Sequence, residues 1–238
     1  MSERLAAAAQ RLFGITLSSE QQSQFAQYAA ELEAWNKSRA NLTAITAMEA
    51  VEVRHFLDSL SVLSAVNLPQ GASLIDVGTG AGFPGVPLRL VRPDLRLTLL
   101  EATGKKIAFL QHLATLLGIE NVQFLHARAE EAGQMPDQRE HYDVAVARAV
   151  AHMPVLAEYL LPLVRVGGQC VAMKGESAER EVREATNALR ILGGRVAHLT
   201  AVNLPDVAEP HYLIVIDKIA PTPRPYPRKP GTPAKKPL

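Results

Sequence analysis

The sequence predicts an α/β protein: a mostly parallel seven-stranded sheet covered by helices on both faces and preceded by a helical segment. Three observations predict it. From residue 67 to residue 220, short apolar runs alternate with amphipathic stretches at helical spacing, the order that builds a parallel sheet. A glycine-rich turn, Asp76-Val77-Gly78-Thr79-Gly80-Ala81-Gly82, separates the first run from the next helix, which is where such a sheet takes its ligand. The 238 residues are enough for one such domain and an accessory segment.

Residues 1–66 read as helical. Phe25, Tyr28, Leu32 and Trp35 recur at steps of three and four, one face of a helix that Ser19 is placed to cap. Thr46 followed by Glu49 is the signature of a capping box, opening a second amphipathic stretch through Phe56, Leu60 and Leu63. Asn67, Pro69 and Gly71 end the pattern. Strands are then expected at Ser73–Val77, Arg96–Leu100, Val122–Leu125, Asp143–Ala147, Gln169–Met173, Val196–Asn203 and Tyr212–Ile219. Helices are expected from Pro84, over Gly104–Leu117, over Pro154–Leu163 and over Ala178–Leu192. Residues 221–238 are different material. Their seven prolines oppose helix and sheet and favour an extended, polyproline-like backbone. Three parts are therefore expected: 1–66, 67–220 and 221–238.

Bulk properties narrow the class. No apolar run approaches the length of about eighteen residues that a membrane span needs. Met1–Gln10 lacks the basic start, long apolar core and cleavage site of a signal peptide. The single cysteine, Cys170, excludes an intrachain disulfide framework and a cysteine-rich metal site, and a reducing, cytoplasmic setting fits. Net charge is +1, but unevenly spread. The last eighteen residues hold five basic residues and no acidic ones, which leaves twenty basic against twenty-four acidic in the remainder. A basic tail on an acidic body points to an anionic partner, nucleic acid first.

The glycine turn allows two registers. Gly80-Ala-Gly82-Phe-Pro-Gly85 matches the dinucleotide fingerprint G-x-G-x-x-G. Asp76-x-Gly78-x-Gly80-x-Gly82 is instead the loop of an S-adenosylmethionine (AdoMet) site. The strand ends near Val77, so Gly78 opens the turn and Asp76 stands at the strand's carboxyl end. A carboxylate there would repel a pyrophosphate but suits the cationic amino-acid end of AdoMet, which favours a Rossmann-like AdoMet-dependent methyltransferase. Glu101, at the end of the second strand, is placed for the ribose hydroxyls in either cofactor class. The third strand runs into Ala127-Arg128-Ala129-Glu130, where an adenine ring would lie.

The fourth strand ends in Arg148, which could bind the cofactor region, orient a base or neutralise a phosphate. It lacks the Asn- or Asp-Pro-Pro-aromatic run of enzymes that methylate exocyclic amines. Cys170 lies inside an apolar strand and reads as a core residue rather than a nucleophile. A ring nitrogen such as guanine N7 already carries a lone pair, so its methylation needs positioning rather than a general base. No metal is expected. Lys174, just past the fifth strand, is a candidate RNA contact. In the tail, Arg224, Tyr226, Arg228, Lys229, Lys235 and Lys236 could track phosphates and stack on a base, or simply be solvated. Two other functions remain open. One is an NAD-dependent oxidoreductase, with His55 as proton donor. The other is a non-catalytic RNA-binding protein.

Further motifs are Asn41-Leu42-Thr43-Ala44-Ile45, His55-Phe56-Leu57-Asp58-Ser59-Leu60, Asp76–Pro87, Ala147-Arg148-Ala149-Val150, Met173-Lys174-Gly175 and the tail Pro223–Leu238. At these residues, spread over nearly the whole chain, the sequence resembles the 16S ribosomal RNA small-subunit methyltransferase G family, also called glucose-inhibited division protein B. The resemblance implies AdoMet-dependent methylation of guanine N7 in the 530 loop of 16S rRNA, by a bacterial cytoplasmic protein acting on the 30S subunit or its assembly intermediate. By matching motifs it implies cofactor contacts from Gly78, Phe83, Glu101, Ala129, Glu130 and Arg148, alongside Asp76 and Gly80 of the loop. Family members often continue the strand-two acid with Asp-Ser. Here the stretch is Glu101-Ala102-Thr103-Gly104-Lys105-Lys106.

Overall fold

All seven expected strands form, and they make one sheet. The computed structural model describes residues 3–39 and 41–238; Met1, Ser2 and Ala40, the first two within the stretch read for a leader, lie outside the described residues. Strands β1 (Ser73–Val77), β2 (Arg96–Glu101), β3 (Val122–His126), β4 (Tyr142–Arg148) and β5 (Val164–Lys174) pair in parallel. β6 (Gly194–Val202) and β7 (His211–Lys218) join antiparallel, giving the order β3-β2-β1-β4-β5-β7-β6. The order reverses between β1 and β4. There the loops leaving neighbouring strands diverge and open a crevice.

Side chains alternate across the central strands, so the sheet buries two separate clusters. Leu74, Val146, Val171 and Val215 face one side, while Ile75, Ala145, Cys170 and Ile214 face the other. The first side is covered by α1 (Glu3–Phe13), α2 (Ser19–Ser38), the helical run over residues 48–65, α6 (Gly85–Val91) and α7 (Gly104–Leu116). That run comprises α3 (Met48–Val51), a wide π-helical turn (Glu52–Leu57), α4 (Asp58–Leu60) and α5 (Val62–Ala65). The second side is covered by α8 (Ala129–Ala132), α9 (Met153–Leu160), α10 (Ala178–Glu184) and α11 (Thr186–Leu192). The helical segment shares its cluster with the sheet. Phe25, Tyr28, Leu32 and Phe56 are buried in it, each worth about 1.5–3 kcal/mol of transfer free energy.

Four local expectations are corrected. Helix α2 is capped by Ser18, not Ser19. Ser18 is extended, its hydroxyl accepts from the Gln21 amide and the Gln21 side chain accepts from the Ser18 amide. The Thr46/Glu49 box does not form, because α3 begins one residue too late, after Ala47, with no side-chain cap. The single helix expected over Ala178–Leu192 is two, since Ala185 sits at ψ −3° and breaks the ladder. The tail is neither extended throughout nor free of helix: α12 (Thr232–Lys235) forms with a proline in its first turn, where a missing N–H costs nothing. The tail folds back on the second face of the sheet, with Tyr226 and Leu238 packed against its cluster.

Candidate active site

The β1 strand leads into Gly78, which lines the crevice, while Asp76, one residue before the strand's end, lines neither of the site's two cavities. Gly78, Gly80 and Gly82 all adopt positive φ (67°, 62° and 101°), which L side chains rarely do. The turn is tied to β2, where the amides of Gly78 and Thr79 donate to the Leu100 carbonyl at 2.8 and 3.1 Å. Asp76 is fully buried. Its Oδ2 accepts from the Thr79 hydroxyl at 2.6 Å and from the Gly85 amide at 2.8 Å, while its Oδ1 has no partner among the described residues. Burial outweighs these bonds and the charge of Arg148, and raises the carboxyl to about 6.

This arrangement decides between the two registers of the glycine turn. Helix α6 offers no free amide to a phosphate. Gly85 N–H is taken by Asp76, Val86 N–H by the Gly82 carbonyl and Leu88 N–H by the Pro84 carbonyl, and Pro87 has none. A carboxylate already occupies the helix start, where a pyrophosphate would need free donors. The unpartnered Oδ1 of Asp76 instead calls for a donor, and a cationic one best compensates a buried carboxylate.

Beyond the turn lies a cleft of about 150 Å³, lined by Gly78, Glu101, Ala127, Ala129, Glu130 and Val150 among others. It is open at Gly78, where a Cβ would meet Val150 Cγ2 at 2.8 Å. Glu101 accepts from the amides of Gly80 (3.0 Å) and Thr103 (2.9 Å), one on each oxygen. A carboxylate accepts about four hydrogen bonds, so capacity for a diol remains. Glu130 is buried and accepts from the Gly231 amide at 2.8 Å, with Tyr159 beside it. Burial and that carboxylate push the Tyr159 phenol up to about 12. Four expected residues thus line one cleft, Gly78, Glu101, Ala129 and Glu130, and Gly80 is bound to Glu101 behind it.

Arg148 and Phe83 belong to a second, adjoining site. A pocket of about 380 Å³ is lined by Arg54, His55, Asp58, Arg148, Ala149, Lys174 and His211, among others. Arg148 Nη1 donates to the Arg54 carbonyl at 2.9 Å and to Asp58 Oδ2 at 3.1 Å, and Nη2 lies 3.2 Å from His55 Nδ1. The guanidinium also sits 4.9 Å from the centre of the Phe83 ring. Phe83 is stacked between His55 at 4.5 Å and Tyr28 at 5.1 Å. Burial, then Arg148, lowers the His55 imidazole to about 4, so it is neutral at pH 7. His55 Nε2 is 2.8 Å from the Thr43 hydroxyl. His211 Nδ1 is 3.2 Å from Asp58 Oδ1, and this contact raises its pKa.

Lys174 is in the lining of the same pocket, with its ammonium ion-paired to Glu181 at 2.7 Å and bonded to the Ala151 carbonyl. The tail residues lie elsewhere. Arg228 is bound to the buried Glu158, and Tyr226 is half-buried. Arg224, Lys229, Lys235 and Lys236 are exposed. Cys170 is fully buried, and burial pushes its thiol up to about 12, far from nucleophilic use at pH 7. Among the described residues no cluster of His, Cys, Asp and Glu could hold a metal ion, and no helix is long and apolar enough to cross a membrane. Sequence reasoning assigned no role to Asp58, His211 or Tyr28. The three-residue step from His55 to Asp58 was the one available signal, and it is equally the signal of an ordinary helix face.

Known proteins agree with this architecture. The fold resembles geranyl diphosphate C-methyltransferase from Streptomyces coelicolor A3(2), solved with S-adenosyl-L-homocysteine. That match has a TM-score of 0.56 at 14% identity and covers 68% of this chain and 76% of that one. It also resembles TYW2 from M. jannaschii, solved with AdoMet, with a TM-score of 0.54 at 12% identity, covering 69% and 76%. At these identities the likeness is one of fold. Sequence relatives are much nearer. The chain is 52% identical over 229 residues to the ribosomal RNA small subunit methyltransferase G of Roseiflexus sp. (strain RS-1), covering 96% of each. It is 48% identical over 225 residues to the protein of that name from Alkaliphilus metalliredigens (strain QYMF), covering 94% of each. The family model described as rRNA small subunit methyltransferase G matches residues 21–209. With that match, and with relatives this similar along almost its whole length, the chain belongs to the rRNA small subunit methyltransferase G family.

Proposed function

We propose that this protein transfers a methyl group from AdoMet to N7 of a guanine in the 530 loop of 16S rRNA, in the cytoplasm, on the 30S subunit or its assembly intermediate. The observation that carries the cofactor half is Asp76. It closes the start of α6 to phosphate and leaves one buried oxygen without a donor. Family membership supports the rRNA half.

The residues fit AdoMet in the following way. Asp76 takes the amino-acid end, the Gly78–Gly82 turn lets backbone approach, Glu101 takes the ribose hydroxyls, and Ala129 and Glu130 border the adenine. When bound, AdoMet supplies a methyl group on a sulfonium, an electrophile that asks no activation of the protein. The chain's task is then to place a guanine in line and exclude water. The 380 Å³ pocket is the candidate guanine site. Arg148, fixed on the Phe83 ring, presents a cation at its wall, and the neutral His55 ring forms part of its floor. No side chain has to remove a proton, because N7 attacks with its own lone pair. The exposed Arg224, Lys229, Lys235 and Lys236 remain candidates for phosphate contact, Lys174 stands in the wall of that pocket, and Tyr226 and Arg228 shape the protein. In this reading residues 67–220 form the methyltransferase unit and residues 1–66 roof its substrate side.

The test is transfer from labelled AdoMet to 30S subunits purified from a strain lacking this enzyme, with N7-methylguanine mapped by aniline cleavage. One labelled guanine in the 530 loop is the expected result. No transfer by a protein that still binds AdoMet would move the reading to another substrate. No AdoMet binding would overturn the cofactor assignment.

A further inference from the structure

Beyond Thr222, whose hydroxyl donates to the Leu192 carbonyl and accepts from Lys218, the tail fastens mainly to one region. Arg228 grips the fully buried Glu158 of α9: its amide donates to Oε1 at 2.7 Å, Nε to Oε1 at 2.9 Å and Nη2 to Oε2 at 2.6 Å. Three residues on, the Gly231 amide donates to Glu130 Oε1 at 2.8 Å. Arg139 donates to the carbonyls of Thr222 (2.7 Å) and Tyr226 (2.6 Å), and Gln134 to that of Pro227 (2.7 Å). Pro227 rests on Gly133 so closely that a Cβ there would meet its Cγ at 2.7 Å. All these partners lie on α8, the loop after it and α9. Glu130 and Tyr159 of the same elements line the 150 Å³ cleft beside Gly78 and Glu101.

A carboxylate buried beside a ligand must be oriented by its other bonds. For Glu130 the hydrogen bond described comes from the tail, with Tyr159 beside the carboxylate. Glu158 is buried, and it is held by Arg228 alone among the hydrogen bonds and ion pairs described for it. Loss of the tail would leave Glu158 uncompensated directly behind α8. The basic strip read from composition is therefore, in part, a clasp.

We propose that the tail acts as a positioning element of the cofactor site. The Arg228–Glu158 pair docks it, and the Gly231 amide then sets the Glu130 carboxylate and the Ala127–Glu130 loop at the adenine end of the cleft. This rests on the AdoMet reading above. It makes the tail part of the protein's affinity for cofactor, independently of any RNA.

The coupling must be reciprocal: if the docked tail strengthens cofactor binding, bound cofactor strengthens docking by the same factor. The first measurement is hydrogen exchange in the full chain with and without saturating S-adenosylhomocysteine, with no RNA present. Slowing of the Gly231 amide by fivefold or more is expected, and an unchanged rate there, with ligand bound, would overturn the proposal. The second is calorimetric titration of S-adenosylhomocysteine into the chain ended after Arg224, with circular dichroism to confirm a folded sheet. At least fivefold weaker binding than in the full chain is expected, and equal affinity would overturn the proposal. Should the shortened chain not fold, the exchange measurement decides alone. Failure of the full chain itself to bind S-adenosylhomocysteine would count against the AdoMet reading rather than against the clasp.

Discussion

The buried Asp76 carboxylate makes cofactor affinity depend on pH in a calculable way. In the free protein its carboxyl is raised to about 6 by burial. Binding of an ammonium requires the ionised form. The ionised fraction falls about tenfold between pH 7 and pH 5 for a group of pKa near 6, so the Kd should rise about tenfold over that range. The ligand's own amine, with a pKa of about 8, stays protonated throughout. S-adenosylhomocysteine is the right probe, since its neutral sulfur leaves the ammonium as its cation. In Asp76→Asn the carboxamide oxygen still accepts from Thr79 and Gly85, but the charge is gone. Loss of one charge-assisted bond costs about 1.5–3 kcal/mol, so the Kd at pH 7 should rise roughly ten- to a hundredfold and its pH dependence vanish.

The same group makes an opposite prediction for stability. An acid whose pKa is higher folded than unfolded favours the folded state where it is protonated, and costs stability as pH rises from about 4 through 6. At pH 7 the cost is on the order of 2–3 kcal/mol. Asp76→Asn should therefore unfold several degrees higher than the wild type in the absence of ligand, while binding ligand worse. The assays are calorimetric titration at pH 7, 6 and 5, and thermal unfolding at pH 7. Equal pH slopes in both proteins, or a destabilised Asn variant with unimpaired affinity, would refute the reasoning.

Four other outcomes follow from the geometry. Gly78→Ala places a Cβ 2.8 Å from Val150 at φ 67°, so it should cost about 1 kcal/mol of stability and tenfold or more in S-adenosylhomocysteine affinity, measured by denaturation and calorimetry. Asp58→Asn frees Arg148 and His211; methyl transfer should fall at least tenfold with cofactor Kd unchanged, and the His211 pKa, followed by NMR, should drop. Because that pKa is raised in the folded protein, His211 adds stability at low pH that is lost as pH rises through its folded value, and the Asn variant should lack this component. Cys170→Ser should retain methyl transfer, and the native thiol should resist alkylation until the protein unfolds.

The central strands were legible in the sequence because burial on both faces forces short apolar runs, whereas β3 and β6, at the edges, are only partly buried and were read from alternation and flanking turns. Glu101 and Asp76 were legible because strand ends are. The π-helical turn was not, since a run such as Val53, Phe56, Leu57 and Leu60 satisfies α and π spacing alike. The tail failed for a different reason. Its seven prolines and five cations describe backbone and charge, but what they meet is remote. Glu158 lies 70 residues from Arg228 and Glu130 lies 101 from Gly231. Composition reads an arginine near a terminus as solvated, and only the fold supplies its buried carboxylate. The Lys174–Glu181 pair was not legible either, because Glu181 sits on the next helix.

The two clefts meet at three consecutive residues at the end of β4, and their construction explains why the helical segment cannot be a passive cover. Arg148 and Ala149 line the larger pocket and Val150 the smaller. Ala149 holds φ at 55°, a left-handed conformation that costs an L residue roughly 1–2 kcal/mol and persists only where its surroundings hold it. What holds it on one side is Arg148, whose guanidinium bonds to Arg54, Asp58 and His55, all from the helical segment. On the other side Val150 stands where only a glycine at position 78 leaves room. The wall between the two clefts is thus set jointly by the π-helical turn and the glycine turn. A reaction that depends on in-line distance loses rate steeply with displacements near 1 Å, so an altered π turn should impair transfer while cofactor binding survives.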